Sequence, residues 1–207
     1  MTSPTTLPPL RASLLTDDPL ELFARWFEEA RELSRMEYPN AMTLSTVTPE
    51  GMPDGRIVLL KELDARGFTF YTNYRSAKGR ALAQHPKAAL TFYWDDLARQ
   101  VRIRGPVERV SSEESEAYFR TRPRGSRIGA CVSDQSRPLG GREALEARYR
   151  AMEARLEGGE IPRPDHWGGY RLLPAEMEFW QAGGNRLHDR FLYRRNGDHW
   201  AVERLAP

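Results

Sequence analysis

Arg186, His188 and Arg190 occupy alternate positions in the run Arg186-Leu187-His188-Asp189-Arg190-Phe191-Leu192-Tyr193. Read as a strand entered through the turn Gly183-Gly184-Asn185, the run sends these three side chains to one face, with Leu187 and Phe191 buried behind them. Two guanidiniums and an imidazole in a row repel one another, so such a face calls for an anion. A solvated strand of mixed charge accounts for this stretch alone equally well.

Three further sets have the same character. In Arg56-Ile57-Val58-Leu59-Leu60-Lys61 two cations bracket an apolar strand. Their odd spacing puts Arg56 and Lys61 on opposite faces unless a bulge intervenes. They then serve two anions or two ends of one site, or simply snorkel from the strand ends. Tyr71-Thr72-Asn73-Tyr74-Arg75-Ser76-Ala77-Lys78 combines a strand end, a polar turn and a helix start. Backbone N–H groups, a hydroxyl and a lysine there make a phosphate cradle, or a capped helix with an incidental lysine. The Gly-rich signature of a P-loop is missing. Tyr118 and Arg122 are four apart on one helix face, and Ser126 follows beyond Pro123. Phenol, guanidinium and hydroxyl suit an oxyanion clamp, against the commoner reading of a surface Tyr–Arg pair.

A phosphate monoester carries roughly −1.5 to −2 charge near neutral pH, so holding a phosphorylated cofactor and a phosphorylated substrate takes several cations. No Ser/His/Asp order, carboxylate pair or zinc spacing competes, and no metal is expected. Groups that bind and polarise, without an evident nucleophile, suit chemistry carried by a cofactor.

The elements that must position these groups are legible in outline. Asp18-Pro19-Leu20-Glu21 starts a helix, and Leu20, Phe23, Ala24, Phe27 and Ala30 continue it amphipathically to about Met36. Strands are expected at Met42–Val47, Gly55 to about Leu63, Phe68–Thr72, Ala88–Trp94 and Gln100–Val110, with a short helix at Ser76–His85. A helix at Ser112–Arg122, mostly loop with short helix over Arg124–Gly140, and a charged helix at Gly141–Leu156 follow. A linker-like loop to Asp165 leads to strands around Gly169–Leu173, through the opening run, and at His199–Arg204. Serial strands joined by tight turns point to an antiparallel sheet or barrel rather than a βαβ fold.

At 207 residues the chain fits one domain, here 17–207, preceded by a flexible arm over residues 1–16. A net charge of +2 is too small to argue for nucleic acid as a bulk partner, and none is expected. Lys61, Lys78 and Lys87 are the only lysines, so arginine, the residue of bidentate phosphate and carboxylate recognition, supplies the rest of the positive charge. The bland source of that excess is coding bias or heat adaptation. The single cysteine, Cys131, rules out an intramolecular disulfide. No signal-peptide core or membrane span is legible, and a cytoplasmic protein is the expectation.

Together, Arg56-Ile-Val-Leu-Leu-Lys61, Phe70-Tyr-Thr-Asn73, Arg99-Gln-Val101, Tyr118-Phe-x-x-Arg122-Pro-Arg-x-Ser126-x-Ile-Gly-Ala130, Gln135-Ser136, Trp167-Gly-Gly169, Glu178-Phe-Trp-Gln181, Arg186-Leu-His-Asp-Arg-Phe191 and Arg204-Leu-Ala-Pro207 resemble the pyridoxine/pyridoxamine 5′-phosphate oxidase family. The likeness runs from about Asp18 to Pro207. It implies a mainly β protein with peripheral α-helices: an antiparallel, Greek-key-like, FMN-binding split β-barrel. It also implies a homodimer with the flavin at the interface.

By motif, the resemblance assigns FMN to Arg56, Ile57, Val58, Leu59, Leu60, Lys61, Tyr71, Thr72, Lys78, Gln100, Gln135, Ser136, Trp180 and Arg190. It assigns the substrate phosphate to Lys61, Tyr118, Arg122 and Ser126, and the substrate's pyridine ring and catalysis to Arg186 and His188. The implied reaction oxidises pyridoxine or pyridoxamine 5′-phosphate to pyridoxal 5′-phosphate in vitamin B6 metabolism. Hydride passes from C4′ to the flavin, O2 is reduced to H2O2, and the amine substrate releases ammonia. One departure stands out: many members have Ser-Arg-Lys where this chain has Ser76-Ala77-Lys78. Arg75 and Arg80 are the neighbouring cations. Two other readings fit related sequences, a split-barrel flavin oxidase of another aromatic substrate such as a phenazine precursor, and a non-catalytic FMN or pyridoxal-phosphate binding protein. The phosphate-gripping set speaks against the first; a turnover assay separates the second.

Overall fold

The computed structural model describes residues 7–207. Helix α1 (Pro19–Leu33) is capped by Asp18, whose carboxylate accepts the Leu20 N–H at 2.9 Å. Strands β1 (Ala41–Val47), β2 (Pro53–Leu59), β3 (Glu62–Asp64) and β4 (Gly67–Asn73) lead to α2 (Ala77–Gln84), capped by Ser76. Strands β5 (Lys87–Trp94) and β6 (Arg99–Arg109) come next. Three helices follow, α3 (Ser112–Thr121), α4 (Arg124–Val132) and α5 (Arg142–Arg155), and then β7 (Trp167–Leu172), β8 (Glu176–Gln181), β9 (Asp189–Asn196) and β10 (His199–Arg204).

Every strand pairing is antiparallel. The long path runs β10-β9-β8-β6-β5-β1-β2, and β3-β4-β7 branches from β6. The branch exists because β6 serves both arms: Arg99–Arg104 pair with β8, and Val107–Arg109 pair with β7. Gly105 and Pro106 mark the handover. A Cβ on Gly105 would collide with the Leu173 carbonyl, so only glycine allows the backbones to cross there. The sheet thereby curls into a half-barrel. Its core is aromatic, with Phe23 and Trp26 of α1 set edge-on to Phe68, Phe92 and Phe179. A smaller cluster of Phe119, Ile128, Ile161 and Trp167 lies under α3, α4 and α5.

The fold corrects five expectations. Helix α1 stops at Leu33, where the Ser34 N–H closes on the Ala30 carbonyl and the following backbone is extended. The single strand expected over Gly55–Leu63 is broken: Leu60 N–H donates to the Asn40 carbonyl and Lys61 N–H to the Thr69 carbonyl, which transfers the chain from one strand partner to another. Residues 124–132 are a full helix despite the weak helix formers Gly125 and Gly129, because Ile128 is buried in the smaller cluster. The arm expected to be flexible is docked from residue 7 onward. Leu10 is 2% exposed, the Pro8 carbonyl accepts from Gln181 Nε2 at 2.7 Å and the Thr16 carbonyl from Tyr193 Oη at 3.0 Å. Residues 1–6 of that arm lie outside the described residues.

The last correction concerns the opening run. Gly184–Arg186 form a 3-10 turn and the strand begins only at Asp189. Asn185 and Arg186 have φ of 57° and 63°, left-handed values that non-glycine residues seldom adopt. Arg186 and His188 therefore do not share a strand face with Arg190. Among the described residues, no helix is long and apolar enough to cross a membrane, and no cluster of His, Cys, Asp and Glu could hold a metal ion.

Candidate active site

The ends of β2 and β4, the start of α2, the end of α3 and the face of α4 enclose a cleft of about 700 Å³. Many of the residues expected to bind ligand meet there: Ile57, Val58, Leu59, Lys61, Tyr71, Thr72, Lys78, Tyr118, Arg122, Ser126 and Gln135. These come from segments up to 78 residues apart, Ile57 to Gln135, and only the fold joins them.

One wall is a stack of aromatic rings. Tyr71 and Tyr118 lie 4.0 Å apart at 14°, and Tyr71 and Trp167 5.4 Å apart at 11°. The stack forms because Gly169 pairs with Tyr71 across β4–β7, where a Cβ would come within 2.8 Å of the tyrosine ring. Two cations lie on these rings, Arg122 at 4.7 Å from Trp167 and Lys61 at 6.0 Å from Tyr118. Trp167 was legible only as part of a motif; its place in the wall follows from strand pairing.

The wall is cationic and short of acceptors. Arg122 caps α3 with extended backbone, just past the helix, and its Nη1 is buried without a hydrogen-bond partner among the described residues. Burial holds its pKa below the usual arginine value. At the other end of the cleft, burial and then the nearby Arg56 charge lower the Lys78 pKa. Lys78 Nζ and Thr72 Oγ1 both reach Gln135 Oε1, at 3.1 and 3.3 Å. The Tyr71 hydroxyl is buried with no partner among the described residues, and burial raises its pKa. Desolvated cations and an orphaned phenol are what an anionic ligand would satisfy.

Other expected residues stand elsewhere. Arg56 does not line the cleft, although its charge lies near Lys78. Its Nη1 donates to the Leu44 carbonyl at 3.1 Å and Thr46 Oγ1 at 2.7 Å, and its Nη2 pairs with Asp54. Leu60 is in the core, and Ser136 is exposed with φ of 67°. Gln100, Trp180 and Arg190 form one cross-strand row over β6, β8 and β9. Arg190 is held by Glu178 at 2.7 Å and by the Ala206 carbonyl at 2.8 Å. His188 rests on Trp180, 4.8 Å between rings, and its Nδ1 accepts the Gly183 N–H at 3.2 Å. That bond leaves the proton of a neutral imidazole on Nε2. Arg186 is exposed on its left-handed turn. This second group does not line the cleft within the chain. Arg75 and Arg80, the cations flanking Ala77, line a neighbouring cleft with Arg137 and His166.

Asn73, quoted in the Tyr71–Lys78 run and the Phe70–Asn73 motif but given no role of its own, lines the cleft and organises its floor. It is 6% exposed, donates to the Ser133 carbonyl at 3.2 Å and accepts the Arg75 N–H at 2.8 Å. Its sequence signals were an asparagine at an expected strand end and its place in that motif.

Fold and cleft define a class: a split-barrel protein with a cation-lined cleft walled by stacked aromatic rings. Comparison with known proteins then identifies the family. Residues 27–155 match the model described as pyridoxamine 5′-phosphate oxidase, and residues 167–207 the one described as pyridoxine 5′-phosphate oxidase C-terminal dimerisation region. A pyridoxine/pyridoxamine 5′-phosphate oxidase of Thermosynechococcus vestitus is 59% identical over 191 residues, 92% of this chain and 90% of that protein. One from Azorhizobium caulinodans is 56% identical over 193 residues, 92% and 91% of the two chains. Among solved structures, PhzG from Burkholderia lata 383, in complex with tetrahydrophenazine-1-carboxylic acid, superposes with a TM-score of 0.89 at 34% identity, over 96% of this chain and 98% of that one. The chain belongs to the pyridoxine/pyridoxamine 5′-phosphate oxidase family, a family of oxidoreductases.

Proposed function

We propose that the protein oxidises pyridoxine 5′-phosphate and pyridoxamine 5′-phosphate to pyridoxal 5′-phosphate, with FMN as cofactor and O2 as electron acceptor. The observation that carries this reading is a single cleft with desolvated cations at both ends, Lys78 and Arg122, and stacked rings as its wall. Such a cleft suits two aromatic ligands that each bear a phosphate.

The residues present fit FMN: Lys78, Thr72 and the start of α2 offer a phosphate site, and the partnerless Tyr71 phenol offers a donor. Bound FMN would supply a two-electron acceptor for the substrate's hydride, with O2 as the final oxidant giving H2O2, and with water consumed and ammonia released when the substrate is the amine. The chain's own part is binding, orientation and electrostatics. Arg122, Tyr118, Ser126 and Lys61 hold the substrate phosphate. Arg186 and His188 bear on the pyridine ring, His188 offering Nε2–H.

Because Gln100, Trp180, Arg190, Arg186 and His188 lie outside the cleft, the reading includes a homodimer in which each subunit's row completes the other's flavin site. Strands β8 and β9, which carry Trp180 and Arg190, fall within the matched dimerisation region. The test is to mix FMN-loaded protein with pyridoxine 5′-phosphate in aerated buffer and follow pyridoxal phosphate and peroxide. Loaded protein that makes neither overturns the assignment.

A further inference from the structure

Arg171 is a charged side chain that binds none of the proposed ligands, yet it is 2% exposed. It stands on β7 between Thr69 of β4 and Glu108 of β6. Its Nη2 donates to Glu114 Oε1 at 2.9 Å, and carboxylates of Asp64 and Glu108 lie at 3.6 and 4.0 Å. The pair is buried on the arginine side, with Glu114 31% exposed, and such a pair is weak evidence for stability by itself, but it does join two parts of the fold in one arrangement.

Those parts lead to the cleft. Glu114 is in the first turn of α3, where it closes a capping box with Ser111 by accepting the Ser111 N–H at 3.0 Å. The next residue, Ser115, is 1% exposed and accepts the Gly169 N–H at 3.2 Å. Helix α3 is thus pinned to β7 at two successive residues. One turn on from Glu114, on the same helix face, stands Tyr118, and Arg122 follows at the helix end. Strand β7 also carries Trp167, the ring beneath Arg122, and Gly169, which admits the Tyr71 ring. One strand therefore sets both the aromatic wall and the helix that brings the phosphate-binding groups to it.

We propose that Arg171 is a positioning residue for the phosphate clamp, acting through Glu114 to set α3 and with it Tyr118 and Arg122. The inference rests on the functional reading above for what the clamp holds. It makes Arg171 a determinant of the preference for phosphorylated over unphosphorylated pyridines, although it touches neither.

The test uses FMN-loaded Arg171→Gln, Arg171→Lys and Glu114→Gln proteins. A misplacement near 1 Å can cost up to about 100-fold, so KM for pyridoxine 5′-phosphate should rise about 10-fold in Arg171→Gln. Turnover at saturation should stay within about 2-fold, and titrated affinity for pyridoxal 5′-phosphate should fall in parallel with no change for unphosphorylated pyridoxal. Lysine should restore part of the loss. Combined with Arg122→Ala, the effects should be less than additive, because both act on one clamp. Equal loss for phosphorylated and unphosphorylated ligands, full additivity, or unchanged affinity in a folded variant would overturn the proposal. If Arg171→Gln does not fold, Glu114→Gln breaks the same pin from the more exposed side. Wild-type protein that turns nothing over would fail the functional reading alone, and titrations of the variants with pyridoxal 5′-phosphate and inorganic phosphate would still decide this one.

Discussion

The rings of Tyr71 and Tyr118 lie face to face at 4.0 Å, one on strand β4 and the other on helix α3. Their stacking is a structural contact, whereas the Tyr118 phenol belongs to the proposed phosphate clamp, so the two roles can be separated. Tyr118→Phe should keep unfolding stability within about 0.5 kcal/mol. It should weaken pyridoxine 5′-phosphate binding by about 10-fold, since a hydrogen bond to a charged group is worth about 1.5–3 kcal/mol. Tyr118→Ala should add a stability loss of about 0.5–1.5 kcal/mol from the stack. Urea unfolding and calorimetric titration check both, and a Phe variant with unchanged affinity would remove the phenol from the clamp.

Arg122 has no acceptor for Nη1 among the described residues and touches the Trp167 ring. Its guanidinium is therefore available to a ligand at little cost to the fold. Arg122→Ala should reduce substrate affinity by at least about 10-fold, the equivalent of about 1.4 kcal/mol. Arg122→Lys should recover only part, because an ammonium lacks the planar fork. A large drop in unfolding midpoint with unchanged affinity would mark Arg122 as a structural residue instead.

Lys78 is desolvated and faces the Arg56 charge, so the ligand-free protein should gain from a bound phosphate. FMN at 100 times its Kd should raise stability by about 2.7 kcal/mol, seen as a higher Tm by scanning calorimetry. In Lys78→Met the ligand-free protein should be no less stable, and the same FMN concentration should raise its Tm far less. An undiminished FMN shift in that variant would place the flavin phosphate elsewhere.

Gln100, Trp180 and Arg190 make a row that does not line the cleft of their own chain. If each row completes a second subunit's site, dilution should release flavin as dimers dissociate. Sedimentation and the recovery of flavin fluorescence should then follow one concentration dependence. Retention of FMN by isolated monomers would contradict the shared site.

Glu114 is held at a pKa of about 2, chiefly by the Arg171 hydrogen bond, with the Ser111 N–H and Arg66 assisting, against an ordinary value of 4.5. A carboxylate depressed in the folded state contributes stability that is complete above the unfolded pKa. That contribution shrinks as pH falls below about 4.5 and is gone once pH has passed below the folded value of about 2. Urea midpoints measured from pH 6 to pH 3 should therefore fall more steeply in the wild type than in Glu114→Gln. Identical slopes would show that the pin contributes nothing to acid stability.

Local chemistry made much of the molecule legible. The Asp18 cap with Pro19, the charged helix near residues 142–155 and the closing strand His199–Arg204 all announce themselves through neighbours within a few residues. So does the cationic bias of the segments that form the cleft, since residue types survive any folding. What a strand's alternation could not reveal was where the strand starts. Arg186 and His188 read as strand residues beside Arg190, but Gly183 packs against the Leu187 carbonyl with no room for a Cβ, and a 3-10 turn replaces the first residues of the run. The break at Leu60–Lys61 was equally hidden, because it depends on hydrogen bonds to Asn40 and Thr69 in other elements. Arg56 illustrates the same limit: its charge was visible, its commitment to Thr46 and Asp54 was not. The residue types and their order thus follow from covalent sequence, whereas which of them share a cleft is set by pairings across β4, β7 and β6 that only the folded sheet creates.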